Sequence, residues 1–138
     1  MPHIEILRWE KAREHAAPIR FAVFVEEQGV PPEIELDDMD AGSIHVLVFE
    51  DQTPVGTGRL LPDGHIGRMA VLKPWRGRGI GGRMLSALLE QARRRGDREV
   101  ALSAQVHALG FYRAHGFVEE GPEYLEAGIA HRAMRRKL

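Results

Sequence analysis

The spacing of apolar and polar positions changes period several times along the chain. From His3 to Trp9, Ile4 and Ile6 fall on one side of a two-residue repeat, which predicts a strand. From Glu10 to Gln28 the spacing becomes helical, with Ile19, Ala22, Val23 and Glu26 on one face. Pro18 lies inside that pattern and should start a helix or kink one already running, and Gly29 should end it. Val30 to Met39 holds two prolines and the carboxylates Glu33, Glu35, Asp37 and Asp38, with Asp40 just after, and reads as a loop. Ser43–Glu50, Val55–Leu61 and His65–Leu72 then return to strand character. The turns Asp51-Gln52-Thr53-Pro54 and Pro62-Asp63-Gly64 separate them, which predicts an antiparallel meander.

Helical spacing resumes at Ile80. Met84, Leu85, Leu88, Leu89 and Ala92 continue one apolar stripe, the mark of a helix packed on a core. Arg93, Arg94 and Arg95 fill its last turn, where cations suit the helix dipole, and Gly96 ends it. Glu99–Ala104 predicts a strand that completes one βαβ unit. Ala108–His115 predicts a short helix closed by Gly116, and Phe117–Glu120, Tyr124–Ala127 and Ala130–Arg136 a last pair of strands. Neither repeat, linker nor low-complexity stretch breaks the order, so residues 1–138 are expected to form a single domain.

Composition narrows the class. The 138 residues are 43% hydrophobic and 28% charged, as in a soluble globular protein. A net charge of -1 argues against a general nucleic-acid binder. The absence of cysteine excludes disulfides, thiolate metal sites and a cysteine nucleophile, and no metal is expected. Met1–Glu10 lacks the apolar core of a signal peptide, and no run approaches the ~20 apolar residues of a membrane span. A cytoplasmic location without membrane partners is the expectation.

The candidate chemistry begins at Arg76-Gly77-Arg78-Gly79-Ile80-Gly81-Gly82, which lies between a predicted strand and a predicted helix. The first N–H groups of a helix have no intrahelical acceptor, and its dipole favours an anion there. Glycines let the backbone approach a phosphate, and Arg76 and Arg78 add charge with fork geometry. A P-loop would place Lys and then Ser or Thr after Gly82, where Arg83 and Met84 stand. The dinucleotide pattern GxGxxG is met by Gly77, Gly79 and Gly82, with Glu99 as a candidate for the ribose, and would make the protein an NAD-dependent oxidoreductase. That fold needs several βαβ units with the fingerprint in the first, whereas antiparallel strands come first here. A tight turn with solvated arginines is the structural alternative.

The pattern Arg-x-x-Gly-x-Gly, met by Arg76, Gly79 and Gly81, resembles the acyl-CoA pyrophosphate loop of the GNAT superfamily of N-acetyltransferases. Met69-Ala70-Val71 resembles the end of that family's fourth strand, and Phe111-Tyr112-Arg113-Ala114-His115-Gly116-Phe117 its FYxxxGF element. Val23–Pro31 with the acidic loop, and Gly128-Ile129-Ala130-His131, are similar to an ElaA/YjcF-like branch. The resemblance implies an α+β fold: a central, mostly antiparallel twisted sheet of six to seven strands, about four helices, and one βαβ unit carrying the CoA site.

It further implies acetyl-CoA as co-substrate, a primary amine of a small molecule or protein as acceptor, and a homodimer through the C-terminal strands as an option. Met69, Ala70, Val71, Arg76, Gly77, Arg78, Gly79, Ile80, Gly81, Gly82, Gln105, Phe111 and Tyr112 would hold the donor. Its pantetheine arm would lie where the strand ending at Val71 splays from Val100–Ala104. Tyr112 would protonate the leaving thiolate. Glu26, Glu27, His45, His107 and His131 are candidates to take the amine proton. Glu27 comes first, because it ends the first helix beside the acceptor loop. A non-catalytic acyl-CoA-binding module would keep the same glycine run.

Overall fold

The period-two segments pair as the meander predicts. The structure is a computed structural model that describes residues 2–138. Among these, four strands, β1 (Pro2–Arg8), β2 (Ile44–Glu50), β3 (Thr53–Leu60) and β4 (Ile66–Val71), form an antiparallel sheet in that order. The strands β5 (Glu99–Gln105), β6 (Val118–Glu126) and β7 (Ile129–Lys137) form a second sheet with β7 in the middle. Phe117–Glu120 and Tyr124–Ala127, read as separate pieces, belong to the single strand β6, whose register against β7 shifts between Glu120 and Tyr124. The expected central sheet is thus divided. A single parallel bridge between His65 and Ala101 joins its halves.

Four α-helices flank the sheets: α1 (Trp9–Arg20), α2 (Pro32–Glu35), α3 (Ile80–Arg95) and α4 (Leu109–Ala114). All six apolar residues of the predicted stripe on α3 are buried, against Val46, Val48, Val55 and Leu60 of the first sheet and Val100, Leu102 and Met134 of the second. Gly56 makes room for this contact, because a Cβ there would stand 2.9 Å from Met84 Sδ and 3.1 Å from Ile80 Cγ2. The opposite face of the first sheet carries α1, whose Ala12, Ala16, Ile19 and the following Val23 pack on Leu47 and Ala70. Because both faces are covered, Val46, Leu47 and Val48 are all fully buried. No helix among the described residues is long and apolar enough to cross a membrane.

Two expectations change. The helix predicted over Glu10–Gln28 is α-helical only to Arg20 and continues as a wide π-helical segment, Phe21–Glu27. Pro18 has no N–H to offer the turn before it; Phe21 N–H still reaches Ala17 C=O, and farther along the bonds span one residue more, with Gln28 N–H reaching Val23 C=O at 3.1 Å. The stretch read as a loop contains the single turn α2, started by a proline at its first position. Of the acidic residues in and just after it, Glu33 and Asp38 are exposed. Glu35 and Asp40 are buried, and with Asp37 they balance Arg20, Arg59 and Arg68 in one ion network.

Candidate active site

Among the described residues, β4 and β5 are joined by backbone pairing only near their N-terminal ends, where Ala101 N–H donates to Gly64 C=O at 3.1 Å, and are unpaired with each other beyond that point. The expected splay is therefore present as a V. Leu72 N–H donates to Val55 C=O at 2.9 Å. Main-chain groups alternate along an antiparallel strand, so those of Val71 turn away from β3 toward the open gap. The Val71 carbonyl accepts from Arg76 Nε at 2.9 Å. Met69 and Val71 pack toward α3, and Ala70 toward α1.

At the wide end of the V the glycine run leads into α3. Gly77 and Gly79 both have φ of 79°, in the left-handed region that favours glycine. Arg76 N–H reaches Lys73 C=O, and Arg83 N–H reaches Gly79 C=O. Among the described residues, no acceptor meets the main-chain N–H groups between them, from Gly77 to Gly82. A run of main-chain donors without a partner at a helix N-terminus is what an anion-binding nest requires. Gly81 and Gly82 lie inside α3, which begins at Ile80. A Cβ on Gly81 would meet Phe111 Cζ at 3.5 Å, and one on Gly82 would meet His115 Nε2 at 3.3 Å. The small size of Gly82 lets α4 pack closely on the first turn of α3. Ile80 is buried in the core, and the Arg78 guanidinium lies 4.9 Å from the Trp75 ring centroid.

That packing brings the Phe-Tyr element to the glycine run. Phe111 meets Tyr112 edge-on, and Tyr112 meets Phe117 likewise. Burial pushes the Tyr112 phenol up to about 12. The hydroxyl therefore keeps its proton through the physiological range.

The end of the first helix reaches both arms of the V. Glu27 accepts from Arg76 Nη1 and Nη2 at 2.6 and 2.8 Å, beside the end of β4. The adjacent Gln28 exchanges amide hydrogen bonds with Gln105 at the end of β5, the shorter at 2.8 Å, and His107 lies 2.6 Å from the same Gln105 oxygen. The hydrogen bonds from Arg76 hold the Glu27 carboxyl below its usual range despite partial burial, and its charge adds to the effect. Such a carboxylate accepts a proton less readily, which weakens Glu27 as a base. His45 is fully buried on β2, hydrogen-bonded to Asp40 C=O and tilted against Trp9 with ring centroids 4.9 Å apart, and burial lowers its pKa. It belongs to the ion network, not to the V. Glu99 lies at the far end of β5 from the glycine run and pairs with Arg135, so it is no ribose ligand.

Two residues at the site went unremarked in the sequence. Gln28 looks like any polar residue at a helix end. Arg68 stands in a bulge on β4 with φ of 50°, a conformation that costs a non-glycine residue roughly 1–2 kcal/mol. Its guanidinium donates to Glu35 C=O at 3.2 Å and lies 3.4 Å from Asp37, tying the bulge to the α2 segment. A positive φ inside a strand has no signature in residue type when the residue is arginine. Among the described residues, no group of three or more His, Cys, Asp or Glu gathers in a metal-binding arrangement.

Comparison with known proteins bears on this geometry. The sequence profile of an acetyltransferase (GNAT) domain matches residues 12–138. The uncharacterised N-acetyltransferase YjcF of Bacillus subtilis is 38% identical over 135 residues, covering 95% of this chain and 96% of that protein. The crystal structure of Escherichia coli ElaA superposes with a TM-score of 0.89 at 29% identity, covering 99% of this chain and all of that one. An acyl-CoA N-acyltransferase from Pseudomonas aeruginosa superposes with a TM-score of 0.87 at 29% identity, covering 99% of each chain.

Proposed function

The chain belongs to the GNAT acetyltransferase family, and on that premise we propose that it transfers an acetyl group from acetyl-CoA to a primary amine by direct attack. The observation that carries the reading is the row of main-chain N–H groups from Gly77 to Gly82 without a partner among the described residues, at the wide end of the V and against the Phe111-Tyr112 element. The nest and the α3 N-terminus suit a pyrophosphate, and Arg78 adds charge. Arg76 contributes as far as Glu27 releases it, and Glu27 serves to hold Arg76 and the end of β4.

The thioester supplies an activated acyl carbon and a thiolate leaving group, so no enzyme nucleophile is needed. Met69, Ala70 and Val71 on one arm and Gln105 on the other line the path of the pantetheine. The Val71 N–H points into the gap, where it can donate to the oxyanion of the tetrahedral intermediate. One such donor is worth about 3 kcal/mol. Tyr112 faces the leaving sulfur. Full transfer from a phenol at about 12 to a thiolate of pKa ~8.5 is uphill. The hydroxyl therefore acts first by hydrogen-bonding the sulfur as the C–S bond stretches, and completes the transfer as the nitrogen gives up its proton.

The dinucleotide reading fails on the fold, which has antiparallel strands first and a single βαβ unit. The test combines thermal shift with CoA and NAD and release of free CoA thiol across an amine panel. CoA stabilisation with thiol release is expected. Binding without release on any amine would leave a non-catalytic CoA-binding module, and stabilisation by NAD alone would overturn the proposal.

A further inference from the structure

The second sheet presents one polar face on the side away from α3. Val100, Leu102, Ala104 and Met134 turn into the core, so Ser103 and Gln105 of β5, and the residues paired with them, turn the other way. His131 of β7 stands directly opposite Gln105 in register, and Tyr124 of β6 directly opposite His131. Gln105, His131 and Tyr124 thus form a row across three strands, beginning at the arm of the V that Gln28 touches. The hydroxyls of Tyr124 and Ser103 are hydrogen-bonded to each other. The Tyr124 ring stacks on His131 with centroids 6.1 Å apart.

His131 is the odd member of the row. It is 6% exposed, yet only one of its ring nitrogens is bonded. Nδ1 lies 2.7 Å from Ile129 C=O. A carbonyl can only accept, so Nδ1 carries the hydrogen, and in the neutral ring Nε2 carries the lone pair. Among the described residues Nε2 has no hydrogen-bond partner. The nearest charged oxygen is Glu126 Oε2 at 3.7 Å. Nor is Nε2 sealed in: among the described residues the one enclosed side-chain nitrogen or oxygen without a partner is Arg59 Nε. A buried imidazole fixed at one nitrogen and open at the other is built to accept a proton or hydrogen bond from a visitor.

We propose that His131 is the group that takes the proton of the acceptor amine. The inference rests on the acetyltransferase reading and adds to it a base that the pairing of Glu27 with Arg76 left vacant. The ammonium gives one proton to His131 Nε2. The freed nitrogen lone pair forms the C–N bond while the carbonyl π electrons move to oxygen. As the carbonyl re-forms, the C–S bond breaks with its electron pair on sulfur. The second nitrogen proton replaces the one that Tyr112 supplies to the sulfur, and His131 returns its proton to solvent. The products are an amide, a thiol and one proton.

The test uses two small amines at high concentration: ethylamine, an ammonium ion at neutral pH, and methoxyamine, already neutral there. His131→Asn keeps a donor near the Ile129 carbonyl and removes Nε2, and His131→Gln is the second variant. The stabilisation each variant gains from CoA, matched to wild type, establishes that donor binding and fold persist. Transfer to ethylamine should fall about 100-fold or more, while transfer to methoxyamine stays within about threefold. Equal losses on both amines would make His131 merely structural, and no loss on either would also overturn the proposal. Wild-type protein that binds CoA but acylates neither amine would instead remove the reading beneath it.

Discussion

Replacing Asp37 by Asn tests the ion network that seats the α2 segment beside the site. Asp37 accepts from both terminal nitrogens of Arg59, at 2.7 and 2.9 Å, and from Arg68 at 3.4 Å. The substitution keeps the shape and removes the charge. The Arg59 hydrogen bonds hold the Asp37 carboxyl at about 2, against 3.8 for the free side chain. Burial opposes them, and the Arg59 charge, the Met39 N–H and Arg68 add to them. A carboxyl lower in the folded than in the unfolded chain stabilises fully above the unfolded value, and that stabilisation disappears as pH falls toward the folded one. At about 1.4 kcal/mol per pH unit the upper bound is about 2.5 kcal/mol. The side chain is 31% exposed, so solvent screening reduces this to about 1–1.5 kcal/mol. Urea unfolding followed by tryptophan fluorescence measures it, since Trp9 lies 5.2 Å from the Arg20 guanidinium of the same network. Asp37→Asn should be less stable than wild type by that amount at pH 7 and pH 5. The gap should shrink by about half near pH 3. Equal stability at pH 7, or a gap undiminished at pH 3, would refute the assignment.

Three predictions concern the donor side. Tyr112→Phe should lower turnover by at least about 100-fold while leaving CoA affinity unchanged in calorimetry, and undiminished turnover would reduce Tyr112 to packing. Gly79→Ala forces a left-handed φ on a residue with a Cβ, at a cost of about 1–2 kcal/mol, so CoA should bind about 5- to 30-fold more weakly. Gly81→Ala adds only an ordinary contact with Phe111 and should stay within about threefold, and the reverse order would place the pyrophosphate elsewhere. Glu27→Gln removes the anion that competes for Arg76 and should tighten CoA binding by about threefold at low salt, whereas unchanged or weaker affinity would show that Arg76 never turns to the phosphates.

The features legible in the sequence were those with a local cause. The α3 stripe, the meander turns and the glycines that end α3 and α4 are set by residues within one or two turns of each other. The glycine run was legible for the same reason, since a nest is a property of consecutive N–H groups. The burial of Glu35 and Asp40 was not legible, because their partners stand far away in sequence. An acidic loop that meets Arg20 and Arg59 looks the same on paper as one that meets water. Glu27 stood ahead of His131 as a candidate because of its place at the end of the first helix, before the fold showed which had a partner. One is held in a bidentate ion pair, and the other has a free nitrogen.

The wide turn after Arg20 was also illegible, and the arrangement of the site depends on it. A π-helical turn holds about one residue more than an α-turn, and one residue of α-helix subtends about 100°. A continuous α-helix from Trp9 would therefore leave the side chains of Glu27 and Gln28 rotated by an angle of that order from where they stand. Neither could then reach its present partner, Arg76 on one arm of the V or Gln105 on the other. The wide segment begins three residues after Pro18, whose missing N–H leaves a gap in the α-helical ladder. Pro18 does not start a helix, since α1 runs through it, and the wide segment that follows sets the phase at which the helix meets the two strands.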